Sequence, residues 1–213
     1  MTAGLASTKM ATMSDSPGSF IERNAVIPTW FGIGGRADAL ARPATMEQLR
    51  TLLREFHGQP IRILGDGANL LVDDDGVDGL VLSLERMDRV DWPADGAPGD
   101  VLVPMQAGAS LFRIIPESVR RGLAGLETIA GIPATIGGAI AMNAGGAFGQ
   151  IADVVSSVEA LTLQGEAVSL RRDQIDFDYR RSGLGELVIT GATLRLRRTP
   201  DSERDALRAR LKE

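Results

Sequence analysis

The chain has 213 residues, 44% of them hydrophobic, and is long enough to bury a core as one large or two small domains. Its net charge of −5 provides no broad basic field, so nucleic acid is not expected as a partner. There is no cysteine and a single histidine, which excludes disulfides and argues against a metal site, so no metal is expected. That histidine, His57, precedes Gly58 at an expected helix end and is predicted to be structural.

The first nineteen residues are rich in Ser, Thr, Ala and Gly and contain no continuous apolar segment. This composition predicts a disordered tail over residues 1–19. The ~20 consecutive apolar residues of a transmembrane helix do not occur in the sequence. We therefore expect no membrane contact and a cytoplasmic location.

Residues 20–90 are predicted to form a small α/β subdomain. Extended pieces before Pro43 lead to the sequence Thr45–Gln48, which has capping-box spacing, and apolar residues then repeat at helical spacing over 46–56. Strands are expected at 61–64 and 79–84, and residues 73–76 form an acidic turn. Residues 61–73 are interpreted as strand, glycine turn, strand, with the second strand beginning near Leu70.

Residues 91–198 are predicted to form a second, mostly antiparallel subdomain that begins with a linker over 91–100. Strands are expected at 101–107, 154–163, 167–170 and 188–196. A helix is expected over 111–121, and Pro116 must either restart or kink it. Residues 201–213 have a helical but strongly charged pattern with few apolar positions, mainly Leu207 and Leu211.

The segment Gly125–Gly149 contains seven glycines in an otherwise apolar run. Two interpretations are evenly balanced from its composition: a wall that lets a phosphate or flat cofactor approach the main chain, or a set of tight turns. A helix beginning within Ala139–Asn143 would direct its positive end at an anion. The second glycine loop, Gly65–Gly67, lacks a Walker lysine and a Rossmann third glycine, which favours a different dinucleotide site between two subdomains.

Four segments in order resemble one family, the UDP-N-acetylenolpyruvoylglucosamine reductases: Thr29–Gly35, Leu64–Val72, Gly125–Gly145 and Phe177–Ser182. The resemblance covers residues 22–198 but not the family's whole length. It implies an α+β, two-subdomain FAD-binding fold of the PCMH/vanillyl-alcohol-oxidase-like type, with a small α/β lobe and a larger, mostly antiparallel β lobe with helices. It also implies noncovalent FAD, NADPH as reductant, and a UDP-sugar substrate whose enolpyruvyl ether is reduced to UDP-N-acetylmuramate.

The resemblance assigns Arg180 as the catalytic arginine, pairing with the substrate carboxylate, while Arg181 is expected to be solvated and Ser182 to hold the turn. The cofactor-binding residues that it implies form two groups. They are Gly65, Asp66, Gly67, Ala68, Asn69 and Leu70 in the first loop, and Gly131, Ile132, Pro133, Thr135, Gly137, Gly138 and Asn143 in the second. Relatives usually have serine where this chain has Ala68, and the lost hydroxyl is expected to weaken FAD binding by about 1 kcal/mol.

The family also has a third domain, which binds substrate and supplies a proton-donating serine and an acidic partner after the position of Arg198. Residues 199–213 correspond only to its start, so neither group can be assigned in this sequence. We expect sugar turnover to be impaired unless a separate chain supplies that domain. Two alternatives therefore stay open: a flavin-binding module without sugar turnover, and a structural remnant without a ligand.

Overall fold

The computed structural model describes residues 20–211, so the predicted tail over 1–19 lies outside the described residues. Two sheets organise the chain. The first lobe is built on a four-stranded sheet, and the second lobe on a larger sheet in which β5, β11, β9 and β10 lie side by side. The strands of the first lobe are β1 Ile21–Val26, β2 Arg36–Ala41, β3 Ile61–Leu64 and β4 Val77–Ser83. Those of the second lobe are β5 Gly99–Gln106, β6 Leu123–Ala124, β7 Gly145–Gly146, β8 Gly149–Gln150, β9 Val155–Thr162, β10 Ala167–Arg171 and β11 Leu187–Arg198.

The first lobe has the strand order β1-β2-β4-β3, with β1 antiparallel to β2 and the other two pairings parallel. The expected strand beginning near Leu70 is absent, and this prediction was wrong. Because β3 and β4 are parallel, the chain that connects them must return to the end of the sheet at which β3 began. Residues 65–76 make that return as a loop. Leu71 is 77% exposed on this loop.

Helix α1, Met46–Glu55, connects β2 to β3 and confirms the predicted helix. Thr45 caps it, accepting a hydrogen bond from the Gln48 main-chain N–H at 3.2 Å. In a capping box, the Gln48 side chain would accept from the main-chain N–H of Thr45. Here Gln48 Oε1 accepts instead from the N–H of the preceding residue, Ala44, at 2.7 Å. Leu49, Leu52 and Leu53 are fully buried beneath the sheet.

The second lobe is antiparallel, in the order β10-β9-β11-β5, with β6 also paired to β11. This confirms the predicted antiparallel lobe. Strands β7 and β8 form a separate hairpin. One continuous apolar core joins the helix face of the first lobe to the second lobe, through residues such as Leu82, Val103 and Ile136. The two lobes are therefore packed on each other, and the position of each glycine loop is fixed by shared core contacts.

Within residues 20–211, three α-helices accompany the second sheet: α2 Leu111–Arg120, α3 Ile136–Ala141 and α4 Arg204–Arg210. Helix α2 runs without interruption through Pro116, so it does not restart there. Helix α3 begins three residues before the predicted Ala139–Asn143 segment, because Thr135 provides the cap and accepts from the Gly138 N–H at 3.2 Å. The helix prediction was therefore wrong in position, since the N-cap and not the alanines defines where it starts.

Helix α4 buries more than its charged sequence indicates. Leu207 is 2% exposed and packs with Val119 of α2 and Ala124 of β6. Arg210 lies 3.5 Å from Glu127, a carboxylate buried in the segment that leads into the glycine-rich stretch. No helix within residues 20–211 is both long enough and apolar enough to cross a membrane.

Candidate functional site: a cavity between the two lobes

A cavity of about 650 Å³ lies between the lobes, within the size range of small-molecule and cofactor sites. The first lobe contributes the end of β3, the loop Gly65–Leu70 and the residues after β4. The second lobe contributes residues 131–138, the end of α3 and the start of β11. The two glycine-rich stretches thus form opposite walls of one cavity, and a crevice separates them.

The walls approach each other closely at Gly65. A Cβ added there would lie 3.1 Å from Thr135 Oγ1 and 3.7 Å from the Gly138 Cα. A larger side chain at position 65 would therefore fill the space between the lobes. The absence of side chains at these positions keeps the cavity open.

The first wall has main-chain donors without partners. Within residues 20–211, no acceptor takes a hydrogen bond from the N–H groups of the four consecutive residues Asp66, Gly67, Ala68 and Asn69. Main-chain N–H groups that lack partners require water or a ligand with acceptor oxygens. An anion such as a diphosphate supplies several such oxygens at once.

The segment Thr29–Gly35 supports this loop from behind. Trp30 donates its main-chain N–H to the Gly67 carbonyl at 3.2 Å, and Gly35 donates to the Asp73 carbonyl at 2.8 Å. Gly67 has φ +68°, and a Cβ there would lie 2.5 Å from the Pro28 carbonyl oxygen. The loop's shape is therefore set by close contact with this segment, which explains why the two stretches occur together.

The second wall differs from the prediction in its electrostatics. Ile136 and Gly137, in the first turn of α3, donate their N–H groups to the carbonyls of Ala109 and Ala107 at 2.8 Å each, and Gly138 donates to Thr135 Oγ1. The expectation that the positive end of this helix faces an anion was therefore wrong, because these donors are already used. The second wall offers shape and apolar surface to a ligand.

Several glycines of Gly125–Gly149 allow neighbouring segments to pack closely against the main chain. A Cβ at Gly137 would lie 3.0 Å from the Ala107 Cβ, and one at Gly149 would lie 2.8 Å from Thr128 Oγ1. Gly131, by contrast, has φ +82° and no atom within 4 Å of an added Cβ. Some glycines of the stretch thus permit internal contacts, while Gly131, Gly137 and Gly138 also line the cavity.

Three charged residues line the cavity among those described: Asp66, Glu85 and Arg180. Partial burial raises the pKa of Asp66, and the negative charge of Glu85 raises that pKa further. Glu85 itself pairs with Arg42 at 2.9 Å. An anionic ligand would thus meet two carboxylates and one guanidinium, and protonation of Asp66 would lower the repulsion.

Arg180 lies at the tip of a tight hairpin. Asp178 and Arg181 exchange main-chain hydrogen bonds of 3.0 and 3.3 Å, so that Tyr179 and Arg180 form a two-residue turn. Arg180 has φ +56°, a left-handed conformation that costs a non-glycine residue roughly 1 kcal/mol.

Arg181 is exposed as expected, but it pairs with Asp176 and Asp178 at 3.4 and 3.5 Å. The Ser182 hydroxyl donates to the Ala141 carbonyl at 3.1 Å, which agrees with a turn-holding role.

The structure brings together all but one of the sequence-predicted site residues. The twelve cofactor candidates other than Asn143, together with Arg180, line the cavity. Asn143 is 7% exposed and lies behind the wall, where its side chain contacts other loops. Sequence reasoning missed the residues that reach the cavity from distant segments, which are Ile61, Ile63, Leu64, Leu84, Glu85, Ala107, Gly108, Leu184, Gly185, Leu187 and Ile189. They belong to strand ends and connecting segments, and Gly108 and Gly185 are the two glycines among them.

Comparison with known proteins identifies the fold and its relatives. The family described as FAD binding domain matches residues 37–171. A UDP-N-acetylenolpyruvoylglucosamine reductase of Syntrophus aciditrophicus is 39% identical over 189 residues, covering 87% of this chain and 59% of that protein. The enzyme of the same name from Latilactobacillus sakei is 40% identical over 160 residues, covering 74% of this chain and 51% of its own length.

Solved structures agree with these relatives. The crystal structure of UDP-N-acetylenolpyruvylglucosamine reductase from Thermus caldophilus superposes with a TM-score of 0.75 at 32% identity, covering 90% of this chain and 66% of that one. Cholesterol oxidase from B. sterolicum, at 20% identity and a TM-score of 0.63, shares the fold alone. These neighbours confirm the predicted α+β, two-subdomain FAD-binding fold.

The two curated relatives exceed 38% identity with this chain, which spans between half and three fifths of their length. The family match covers more than half of this chain, and it includes the Gly65–Leu70 loop and residues 131–138 on the two cavity walls. The chain therefore belongs to the FAD binding domain family, and its sequence and structure are similar to part of the UDP-N-acetylenolpyruvoylglucosamine reductases described above.

Proposed function

We propose that this chain binds FAD in the cavity between the lobes. We propose further that it is the FAD-binding part of a reductase that uses NADPH to convert UDP-N-acetylglucosamine enolpyruvate to UDP-N-acetylmuramate, in peptidoglycan precursor synthesis in the cytoplasm. The observation that carries the proposal is the pairing of four main-chain N–H groups, unpartnered among residues 20–211, on one wall with a glycine-rich, largely apolar wall opposite.

The residues present fit FAD. The N–H groups of Asp66, Gly67, Ala68 and Asn69 would hold the diphosphate, because each needs an acceptor that the described protein does not provide. Ile132, Pro133 and Gly138 on the opposite wall offer the flat, largely apolar surface that suits a ring system. When bound, FAD supplies the hydride-transfer chemistry that amino-acid side chains lack.

Arg180 is proposed as the catalytic residue of this chain. Reduction of the enolpyruvyl double bond adds a hydride to one carbon and a proton to the other, while NADPH is oxidised, and negative charge develops next to the substrate carboxylate. A guanidinium stays charged throughout and can donate two parallel hydrogen bonds to a carboxylate. Arg180 faces the cavity with its donors unpaired among residues 20–211, so it is available for that pairing.

The proton donor is not proposed from this chain. Ser182 is committed to the Ala141 carbonyl and is 2% exposed, so it cannot reach a substrate in this arrangement. We propose that a third, substrate-binding domain supplies the proton-donating serine and its acidic partner, either in the same polypeptide or as a separate chain.

The test begins with the flavin. The purified chain, incubated with FAD and desalted, is expected to keep an absorbance band near 450 nm. NADPH oxidation is then followed with and without the enolpyruvyl sugar, for the chain alone and after addition of the part of the Thermus caldophilus protein that this chain does not cover. Sugar-dependent oxidation supports the reductase, whereas retained flavin without sugar dependence in either case supports the flavin-binding module instead.

Arg180→Ala should abolish the sugar-dependent rate while leaving flavin retained. Arg181→Ala is the matched control, since the neighbouring guanidinium pairs with two aspartates of its own hairpin. A chain that retains no flavin at all would favour the ligand-free structural remnant and refute the proposal.

A further inference from the structure

Arg180 owes its position to the main-chain turn that carries it. Within the part of the chain that the structure describes, its guanidinium donates no hydrogen bond and forms no ion pair, and its one ring contact is with the adjacent Tyr179, at 6.0 Å. Tyr179 is itself 85% exposed and cannot act as a rigid support. Whatever holds the turn therefore determines where the guanidinium lies.

Asn143 connects this turn to the cavity wall. Its Nδ2 donates to the Asp178 carbonyl at 3.1 Å, at the first residue of the hairpin, and to Gln150 Oε1 at 2.9 Å. Its Oδ1 accepts from the Ala152 N–H at 3.4 Å. One buried carboxamide thus joins the end of α3, the β7–β8 hairpin, residues 151–153 and the Arg180 hairpin.

The backbone at Asn143 explains why an asparagine occurs there. Asn143 has φ +40°, just after α3, and donates its N–H to the Ile140 carbonyl at 3.1 Å. Asparagine tolerates the left-handed region better than most residues. In that conformation its side chain turns away from the cavity and toward the hairpin. The same helix end receives the Ser182 hydroxyl, so the turn is tied to α3 on both sides.

We propose that Asn143 is a positioning residue: it holds the Tyr179–Arg180 turn against the end of α3 so that the guanidinium is presented to the cavity. It contacts neither cofactor nor substrate. The role assigned to Arg180 rests on the proposed function, but the anchoring itself is a property of the protein without ligand. The two claims can therefore fail separately.

The absence of cysteine from the sequence makes a direct test possible. Tyr179→Cys and Leu71→Cys place spin labels on two exposed side chains, one on the Arg180 turn and one on the opposite lobe. In the doubly labelled protein without FAD, the interspin distance distribution is expected to be narrow. Adding Asn143→Gly keeps the left-handed backbone and removes all side-chain hydrogen bonds, and should broaden the distribution about twofold because the turn then occupies a wider range of positions.

Two controls isolate the amide. Asn143→Asp keeps the shape and one acceptor but loses both donors, and should broaden the distribution as Asn143→Gly does. Asn24→Gly removes the other left-handed asparagine, which lies on β1, and should leave the distribution unchanged. If Asn143→Gly and Asn143→Asp both leave it unchanged, the proposal is overturned, whether or not the protein binds FAD.

Discussion

At Gly67 the main chain passes so close to Pro28 and Thr29 that the residue has no room for a side chain. An added Cβ would lie 2.5 Å from the Pro28 carbonyl oxygen and 2.9 Å from the Thr29 Cα, and φ is +68°. Both neighbours are backbone atoms, which cannot move aside as a flexible side chain can. The residue thus fixes a loop that lines the cavity and whose N–H groups at residues 66–69 lack acceptors among residues 20–211.

Gly67→Ala is therefore expected to destabilise the protein by about 2–3 kcal/mol, from left-handed strain and displaced backbone together. Urea unfolding followed by circular dichroism measures the loss. Gly96→Ala is the matched control, because an added Cβ there meets no atom within 4 Å and no positive φ is involved. Equal stabilities for the two variants would contradict the close approach at Gly67.

Asp66 is the residue at which pH should affect FAD binding. Its pKa is raised by burial and by Glu85, so the group binds its proton more tightly than an ordinary aspartate. FAD carries a negatively charged diphosphate and should bind better to the neutral carboxyl. Affinity is then highest below the pKa of Asp66 in the free protein. It decreases as pH rises through that pKa, by at most about tenfold per pH unit for one proton, and levels off above the pKa in the complex.

Asp66→Asn should remove this pH dependence and tighten FAD binding at pH 8 by about tenfold, or 1.4 kcal/mol, relative to the parent. Flavin fluorescence titrations between pH 5 and pH 8 give the dissociation constants. Asp74→Asn, in the acidic turn of the same loop, is the control and should keep the parent's profile. A parent protein whose affinity is flat across this range would show that Asp66 does not exchange a proton on binding.

At the scale of elements, packing stabilises α2 even though a proline inside the helix disfavours helical backbone. Pro116 is the sixth residue of this helix and cannot donate to the Phe112 carbonyl, yet Ile114, Ile115 and Val119 are buried on either side. Apolar burial on the opposite face offsets the missing hydrogen bond. The exposed position of the proline lets its ring face solvent.

Pro116→Ala should stabilise the protein by about 1–2 kcal/mol, since the gain in helix propensity exceeds the added freedom of the unfolded chain. The shift in the urea midpoint at constant slope measures it. Pro98→Ala, in the loop before β5, provides the comparison and should be neutral or slightly destabilising. A destabilised Pro116→Ala variant would mean that the proline ring, and not the helix around it, supports the packing.

At the scale of the whole molecule, a ligand between the lobes should stabilise both of them. The cavity is bounded by residues of each sheet's connections, and one apolar core runs beneath it. A ligand that binds only the folded protein raises its unfolding free energy by about 2.7 kcal/mol at a hundredfold excess over the dissociation constant.

Thermal unfolding should therefore shift upward with FAD and continue to rise with its concentration. Riboflavin, which has the ring system but no phosphate, should give a much smaller shift, because the unpaired N–H groups of the first wall would remain without an anion. Equal shifts with both ligands would mean that the diphosphate is not held by this loop.

Local signals made much of the fold predictable. Helical spacing and the Thr45 cap located α1, alternation located the antiparallel strands of the second lobe, and glycine clusters located both cavity walls. These features depend on residues close together in the chain. The errors had a nonlocal cause: the loop after β3 is shaped by the parallel pairing of β3 with β4, and the first turn of α3 donates to carbonyls of residues 107 and 109.

The sequence by itself predicted the two lobes and the two stretches that a dinucleotide could approach, since these follow from periodicity and from missing side chains. The FAD-binding fold class was implied by the four segments that resemble the reductase family. Only the tertiary structure decided which glycines line the cavity and which ones pack, and that the donors of the first wall lack acceptors among residues 20–211 while those of α3 are used. It also decided that Asn143 donates to the Asp178 carbonyl at the base of the Arg180 turn. Those outcomes depend on which groups of distant segments meet, because a hydrogen-bond donor is available to a ligand only when no folded neighbour accepts from it.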